Sequence, residues 1–336
     1  MSYRGDVDEP EAFDRPGRST RPRTKDHPDY SRAETGMIVT VDRGRFRVLV
    51  SDRAVSATKA RQLGRTAVIV GDVVRVVGDT SGEEGTLARV VQVEDRKTVL
   101  RRTADDDDPY ERPIVANADQ LVIVTALADP PPRTGMIDRI LVAGYDAGLQ
   151  PLLCLTKADL ASPDELVAQY VPLGVAIEVL SPTADLTAFR DRLEGRRSVF
   201  VGHSGVGKST LVNALIPGAL RAIGEVNEVT GRGRHTSTSA IALRLPDLET
   251  SAPGPGPLHQ SWVIDTPGVR SFGLSHVTRE RIISAFDDLE QLTQDCPRGC
   301  SHEADAPECA LDAAVARGEL SPVRLESFRR MLGSGQ

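Results

Sequence analysis

Gly202-His203-Ser204-Gly205-Val206-Gly207-Lys208-Ser209 follows the apolar run Ser198-Val199-Phe200-Val201 and leads into a helix-compatible segment, Lys208 to Leu215. A strand that ends in GxxxxGKS and opens into a helix is a phosphate-binding loop. Backbone N–H groups of Gly205 to Lys208 can surround a phosphate at the helix N-terminus, where the dipole favours an anion. The Lys208 ammonium then bridges the terminal phosphates and the Ser209 hydroxyl ligates Mg²⁺. Gly202, Ser204, Val206, Gly207 and Thr210 complete the set expected around the phosphates.

Downstream, Ser261-Trp262-Val263-Ile264 reads as a buried strand that delivers Asp265-Thr266-Pro267-Gly268. Asp265 is placed to reach Mg²⁺, and the Gly268 N–H to contact a γ-phosphate. Lys208 and Asp265 are therefore candidate catalytic groups as well as binding ones. Upstream, Thr156-Lys157-Ala158-Asp159 closes another apolar strand. A carboxylate at Asp159 pairs with the N1–H and exocyclic amine of guanine, a donor pair that adenine lacks. Lys157 would lay its aliphatic stem along the base. Ser181, after the next strand, is the second expected base contact. The base-reading turn thus precedes the phosphate loop, whereas an ordinary GTPase has it last. The order is circularly permuted.

Around these motifs the chain alternates strands and helices. Leu121-Val122-Ile123-Val124, Pro151 to Leu155, Val175 to Leu180 and a strand near Ile241 are expected strands, with helices at Gly135–Ala147, Asp164–Tyr170 and Asp185–Leu193. Such alternation predicts a doubly wound parallel sheet. Residues 250–257 are Gly/Pro-rich and read as a surface loop.

Before this core, Met37–Val41, Phe46–Val50, Ala67–Val70, Val73–Val77 and Ala88–Val93 are short β-branched runs separated by turn residues. Five strands in so short a span suit a five-stranded OB-fold barrel, with an SH3-like barrel as the other reading. Residues 105–113 read as an acidic loop. The expected division is a disordered tail at 1–34, a barrel at 35–102, a permuted P-loop domain at 103–274 and a helical metal-binding domain at 275–336.

The 336 residues carry a net charge of −7, which argues against indiscriminate coating of nucleic acid. The charge is uneven: residues 36–102 hold thirteen basic against eight acidic residues, and residues 275–336 hold seven against eleven. Arg43, Arg45 and Arg47 alternate on one strand, so the barrel reads as an RNA-facing surface or as a solvated edge. No apolar stretch approaches the ~20 residues of a membrane helix, and the N-terminus lacks a signal-peptide pattern. The absence of heptads suggests a monomer. Cys296-x3-Cys300-x-His302-x6-Cys309 supplies three thiolates and an imidazole, the donor set of one closed structural zinc site. This usage fits a reducing, cytoplasmic setting. Cys154, inside an apolar strand, reads as a small core residue.

The permuted order, Gly231-Arg232-Gly233-Arg234-His235-Thr236, the run Asp265 to Gly273, the basic barrel before the core and the Cys/His cluster after it together resemble the RsgA (YjeQ) family. The resemblance spans roughly Thr35 to Leu325. It implies an OB-fold domain, a permuted GTPase domain and a zinc domain. It also implies GTP hydrolysis stimulated by the small ribosomal subunit during late maturation, with GTP/GDP, that subunit and its rRNA as partners. The chain departs from the family pattern in several places. Thr156 stands where Asn is usual, and Pro182 cannot offer a backbone N–H to guanine. The 251–257 stretch looks inserted, and the zinc spacing is redistributed within the same span.

Position 269 is Val, so no glutamine follows the DxxG glycine to orient water. By residue type and by the resemblance, His235 is the candidate for that role; a solvated loop residue or an RNA contact is the other reading. Thr236 or Thr238 would give the second Mg²⁺ hydroxyl. Two other functions remain on the table. One is an ATP-using P-loop phosphotransferase, against which Asp159 speaks. The other is an RNA-binding zinc protein with a degenerate nucleotide site, against which intact Lys208, Ser209 and Asp265 speak.

Overall fold

The computed structural model describes residues 30, 33–64, 66–103, 110–219, 240–246, 260–268, 272–274 and 277–334. The expected tail, apart from its last few positions, and the 250–257 loop lie outside them. So does the segment carrying His235, Thr236 and Thr238.

β1 (Glu34–Asp42), β2 (Arg45–Val50), β3 (Arg53–Lys59), β4 (Val73–Gly78) and β5 (Ala88–Val93) form the barrel. Pairing runs β1–β2–β3–β5–β4, and β4 returns to β1, closing the cylinder. β3 and β5 are parallel and the other pairs antiparallel. That is the OB-fold order, and it removes the SH3-like alternative. Ile38, Phe46, Val48, Val55, Val74 and Val90 fill the interior.

The third strand differs from the sequence expectation. It is Arg53–Lys59, whose inward Val55 and Ala57 alternate with exposed Ala54 and Ser56 and half-buried Thr58. Ala67–Val70 is no barrel strand, although Val68, Ile69 and Val70 are all buried. This run crosses from the barrel interior, where Val68 packs, to the adjoining core, where Val70 bridges to Val115. Its apolarity reflects burial at a junction, which a strand pattern mimics.

β6 (Val99–Arg102) and β7 (Arg112–Ala116) make a separate antiparallel pair, so strand structure resumes inside the expected acidic loop. The main α/β sheet comprises β8 (Gln120–Ala126), β9 (Gln150–Thr156), β10 (Ala176–Val179), β11 (Arg197–Gly202), β12 (Ile241–Arg244) and β13 (Trp262–Asp265), ordered β10-β9-β8-β11-β13-β12. All seven residues of β8 are buried, as a central strand covered on both faces requires. The sheet is parallel except for β12, which runs antiparallel to β13 and departs from the all-parallel expectation. β12 also contacts the barrel through the Thr40–Ile241 bridge, so both domains share one continuous sheet.

Helices cover both faces. α1 (Thr134–Asp146) and α2 (Asp164–Tyr170) pack on the side of Leu121, Ile123, Leu153 and Val199. α3 (Thr187–Leu193) and α4 (Lys208–Leu215) pack on the side of Val122, Val124, Cys154 and Phe200. Cys154 is fully buried, and burial pushes its thiol pKa upward, so it remains a neutral core residue.

Of the C-terminal helices α5 (Arg279–Ile283), α6 (Asp287–Leu292), α7 (Ala310–Ala316) and α8 (Pro322–Ser334), α5 and α8 dock on α1, and α6 packs on α5 and α7. Phe286 stacks on Tyr145 at 4.6 Å and on Phe328 at 5.5 Å. Arg330 lies 5.0 Å over the Tyr170 ring and pairs with the buried Asp138. The apolar core on this face of the sheet therefore runs unbroken into the helical module.

One polar cluster braces the barrel's own connections, and a second fixes the barrel to the α/β core. Asp72, fully buried, accepts from the Ile69 N–H and pairs with Arg96 at 2.7 Å. Asn117, also buried, donates to the Gly71 carbonyl and accepts from the Lys97 N–H.

Candidate nucleotide and metal sites

The phosphate loop begins where β11 ends at Gly202 and finishes as α4 starts at Lys208. Gly207 caps α4 with φ 88°, a left-handed conformation that a side chain would strain. Lys208 is buried, and its ammonium donates to the Asp265 carboxylate and, at 2.5 Å, to the Thr266 carbonyl. The Thr266 hydroxyl donates to the Phe200 carbonyl at 2.7 Å, which ties the end of β13 to the strand beneath the loop. A Cβ on Gly268 would lie 3.4 Å from the Ser204 nitrogen, so the DxxG glycine abuts the phosphate loop. Ser204, Gly205, Ser209 and Thr210 are exposed at the mouth.

The base-reading turn is held to the same loop. The Thr156 hydroxyl donates to the Val206 carbonyl at 2.6 Å and lies 3.2 Å from the Thr125 carbonyl. Lys157 follows with φ 58°, and its ammonium donates to the Asp129 carbonyl. Pro130 Cδ sits 3.7 Å from the position of a Cβ on Gly205, so the β8–α1 connection closes over the loop. Asp159 is exposed in the turn, free to meet a base. The Ala158 N–H donates to the Leu180 carbonyl, bringing the turn beside Ser181. Ser181 itself accepts from the Ala184 N–H across a turn that contains Pro182 and Thr183.

The Asp129 carbonyl and Thr266 carbonyl are functional groups the sequence reasoning missed. Both are main-chain atoms, and no side-chain pattern reports them.

The segment after Gly268 is anchored at its far end. Phe272 is buried and its carbonyl accepts from Arg139 on α1 at 2.7 Å. Gly273 and Thr103 exchange backbone hydrogen bonds.

The four metal-ligand candidates converge: one donor atom each from Cys296, Cys300, His302 and Cys309 lie within 4.8 Å of one another. His302 Nδ1 is 3.6 Å from the Cys296 sulfur and 3.8 Å from that of Cys309. Tetrahedral zinc with these ligands spaces neighbouring donors roughly 3.5–3.8 Å apart. Burial, and then the adjacent Cys309 and Cys300, pushes the Cys296 thiol up to about 11. Thiolates so crowded need a cation, and a bound dication reverses that penalty. The Ala310 N–H donates to the Cys296 sulfur at 3.3 Å, and Arg329 donates to the His302 carbonyl at 2.9 Å. The donor set fits one closed zinc site.

A phosphate loop at the end of β11, hydrogen-bonded to a base-reading turn at the end of β9 on the other side of β8, defines a P-loop GTPase of circularly permuted topology. Comparison with known proteins agrees. A model of the RsgA GTPase family matches residues 93–275. A Pseudomonas aeruginosa protein named "Small ribosomal subunit biogenesis GTPase RsgA" is 37% identical over 315 residues, covering 91% of this chain and 87% of its own. The protein of that name from Azotobacter vinelandii is 39% identical over 277 residues, covering 80% and 75%. The crystal structure of YjeQ from Thermotoga maritima superposes with a TM-score of 0.62 at 25% identity, covering 90% of this chain and 98% of its own. YloQ, described as a circularly permuted GTPase, shares the fold with a TM-score of 0.61, covering 92% of this chain and 97% of its own. The chain belongs to the RsgA GTPase family, and it is a GTP phosphohydrolase.

Proposed function

We propose that this GTPase acts on the small ribosomal subunit during late maturation, and that the subunit stimulates its GTP hydrolysis. The observation that carries the nucleotide half is the Thr156–Val206 hydrogen bond, because it ties base recognition and phosphate binding to one ligand. The partner half is supported by the names of the relatives.

In this reading Asp159 selects guanine, with Lys157, Thr156 and Ser181 around the base. Gly202, Ser204 to Thr210 and Gly268 hold the phosphates. Ser209 and Asp265, with Thr236 or Thr238, would hold Mg²⁺, which when bound compensates phosphate charge. Lys208 sits between the phosphates and Asp265. His235 orients the attacking water when the subunit is engaged. Zinc at Cys296, Cys300, His302 and Cys309 stabilises the helical module. The protein works in the cytoplasm as a monomer. Among the described residues no helix is long and apolar enough to cross a membrane.

The test compares GTP and ATP hydrolysis with and without purified small subunits. GTP-selective turnover raised at least ~10-fold by the subunit is expected. Preference for ATP would overturn the base assignment, and indifference to the subunit would overturn the assembly role. His235→Ala should abolish the stimulation while leaving GDP affinity unchanged.

A further inference from the structure

The end of β13 and the chain that follows it are held at two places. At the near end the Thr266 N–H and hydroxyl both donate to the Phe200 carbonyl, at 3.3 and 2.7 Å, and Asp265 meets the Lys208 ammonium. At the far end Phe272, Gly273 and Leu274 are all buried. The Phe272 carbonyl accepts from Arg139 Nε at 2.7 Å. Gly273 exchanges two backbone hydrogen bonds with Thr103, just past β6. Gly268 lies between these anchors, against the phosphate loop. It stands four residues before Phe272, a tether of at most about 14 Å of extended chain. So short a tether passes the place of its anchor on to the Gly268 N–H.

Arg139 supplies a side-chain hydrogen bond to the far anchor, and its own base is fixed. The preceding residue, Asp138, is buried and pairs with Arg330 of α8 at 3.2 Å. Ile137, Ile140 and Leu141 of the same helix are packed into the core. Arg139 itself is half-buried, so its guanidinium meets the carbonyl where water competes less well. A charged donor on a carbonyl makes a stronger bond than an amide does. The arginine therefore joins a rigid helix to the chain that carries the γ-phosphate contact.

We infer that Arg139 is a positioning residue for the triphosphate: by holding the Phe272 carbonyl it keeps Gly268 beside the phosphate loop and raises affinity for GTP relative to GDP. This rests on the proposed reading of Gly268 as a γ-phosphate contact. GDP has no γ-phosphate, so its binding does not depend on where the Gly268 N–H stands. GTP binding does. Without the anchor, more backbone freedom has to be frozen when the chain closes on the γ-phosphate, and that entropic cost falls on the triphosphate alone.

The experiment measures affinities of the full-length protein for GDP and for a non-hydrolysable GTP analogue by titration calorimetry, with no ribosomal subunit present. Arg139→Met keeps the length of the stem and removes the donor. It should weaken the analogue about 10-fold or more and leave GDP unchanged, which also reports an intact fold. In Arg139→Gln the amide nitrogen stands as many bonds from Cα as Nε does, so it restores a donor without the charge. This variant should recover most of the lost preference. Arg281→Ala removes an ion pair to Asp146 at the other end of the same helix, 2.8 Å in length, and should not move the ratio. Equal loss of both ligands in Arg139→Met, or an unchanged ratio, overturns the assignment. So does a glutamine variant as weak as the methionine one, or a shifted ratio in Arg281→Ala. Should Arg139→Met not fold, Arg139→Lys takes its place. It keeps the charge but carries its donor one bond farther out, so a smaller loss confined to the analogue is expected, and an even loss or none overturns the anchor. Subunit-stimulated hydrolysis in a protein whose ratio ignores Arg139 leaves the ribosomal function standing and removes this anchor. A ratio set by Arg139 in a protein indifferent to the subunit has the opposite meaning.

Discussion

The Thr156 hydroxyl donates to the Val206 carbonyl at 2.6 Å, joining the turn that reads the base to the loop that holds the phosphates. Both groups are buried, so the bond is not exchanged for water in the folded state. Removing the hydroxyl while keeping the shape leaves a buried carbonyl short of a donor. Thr156→Val should therefore cost about 1–3 kcal/mol, read as a 5- to 150-fold loss of GDP affinity by titration calorimetry. Thr156→Ser should retain most of the affinity. Equal binding by the valine variant would show that the two loops are positioned independently.

Asp159 is exposed in a turn whose backbone is pinned to Leu180. Among the described residues its carboxylate has no hydrogen-bond or ion-pair partner, so substitution should leave stability alone and act on the ligand. Asp159→Ala should lower GTP affinity by about 100-fold or more and remove most discrimination against ATP. A variant that still prefers guanine would transfer the selection to Ser181 or the neighbouring backbone.

Legibility from sequence was highest where one local pattern carried both structure and chemistry. The strand-loop-helix from Arg197 to Leu215 and the Cys296–Cys309 cluster are of this kind. Misreadings arose where burial came from tertiary contact. Ala67–Val70 is apolar because it bridges two cores, whereas Arg53–Lys59 forms a strand with only Val55 and Ala57 fully buried. The reversed direction of β12 had no local signal at all, since strand direction depends on where the chain returns. The Thr156–Val206 bond spans fifty positions and was equally invisible.

Gly71 supplies a severe test of the joint between barrel and core. Its φ is +89°, and a Cβ there would lie 2.0 Å from the Ala116 carbonyl oxygen. The clash cannot be relieved without moving β7, and the left-handed backbone would strain any side chain in addition. Gly71→Ala should destabilise the protein by about 3 kcal/mol or more, measured by denaturant unfolding. A loss below ~1 kcal/mol would mean that the joint yields easily.

Zinc should be present at one atom per chain by elemental analysis. Cys309→Ser should lose it and lower the melting temperature, because Cys309 is buried at the start of α7 and, among the described residues, supplies one of the four donors that converge there. Chelation should reproduce the change in the wild type and have no added effect on the variant. Retained metal in Cys309→Ser would point to a different ligand set.

The Thr40–Ile241 bridge has a consequence for solubility. β12 would otherwise end the α/β sheet with a row of unpaired backbone donors and acceptors, the kind of border along which chains stack edge to edge. The barrel's first strand lies against that border. At the far border stands β10, only four residues long and carrying Glu178, which pairs with Arg192. One margin is thus shielded by a neighbouring domain and the other by brevity and charge. A fragment cut free of its barrel would expose the unguarded margin and should self-associate, even with every catalytic residue in place.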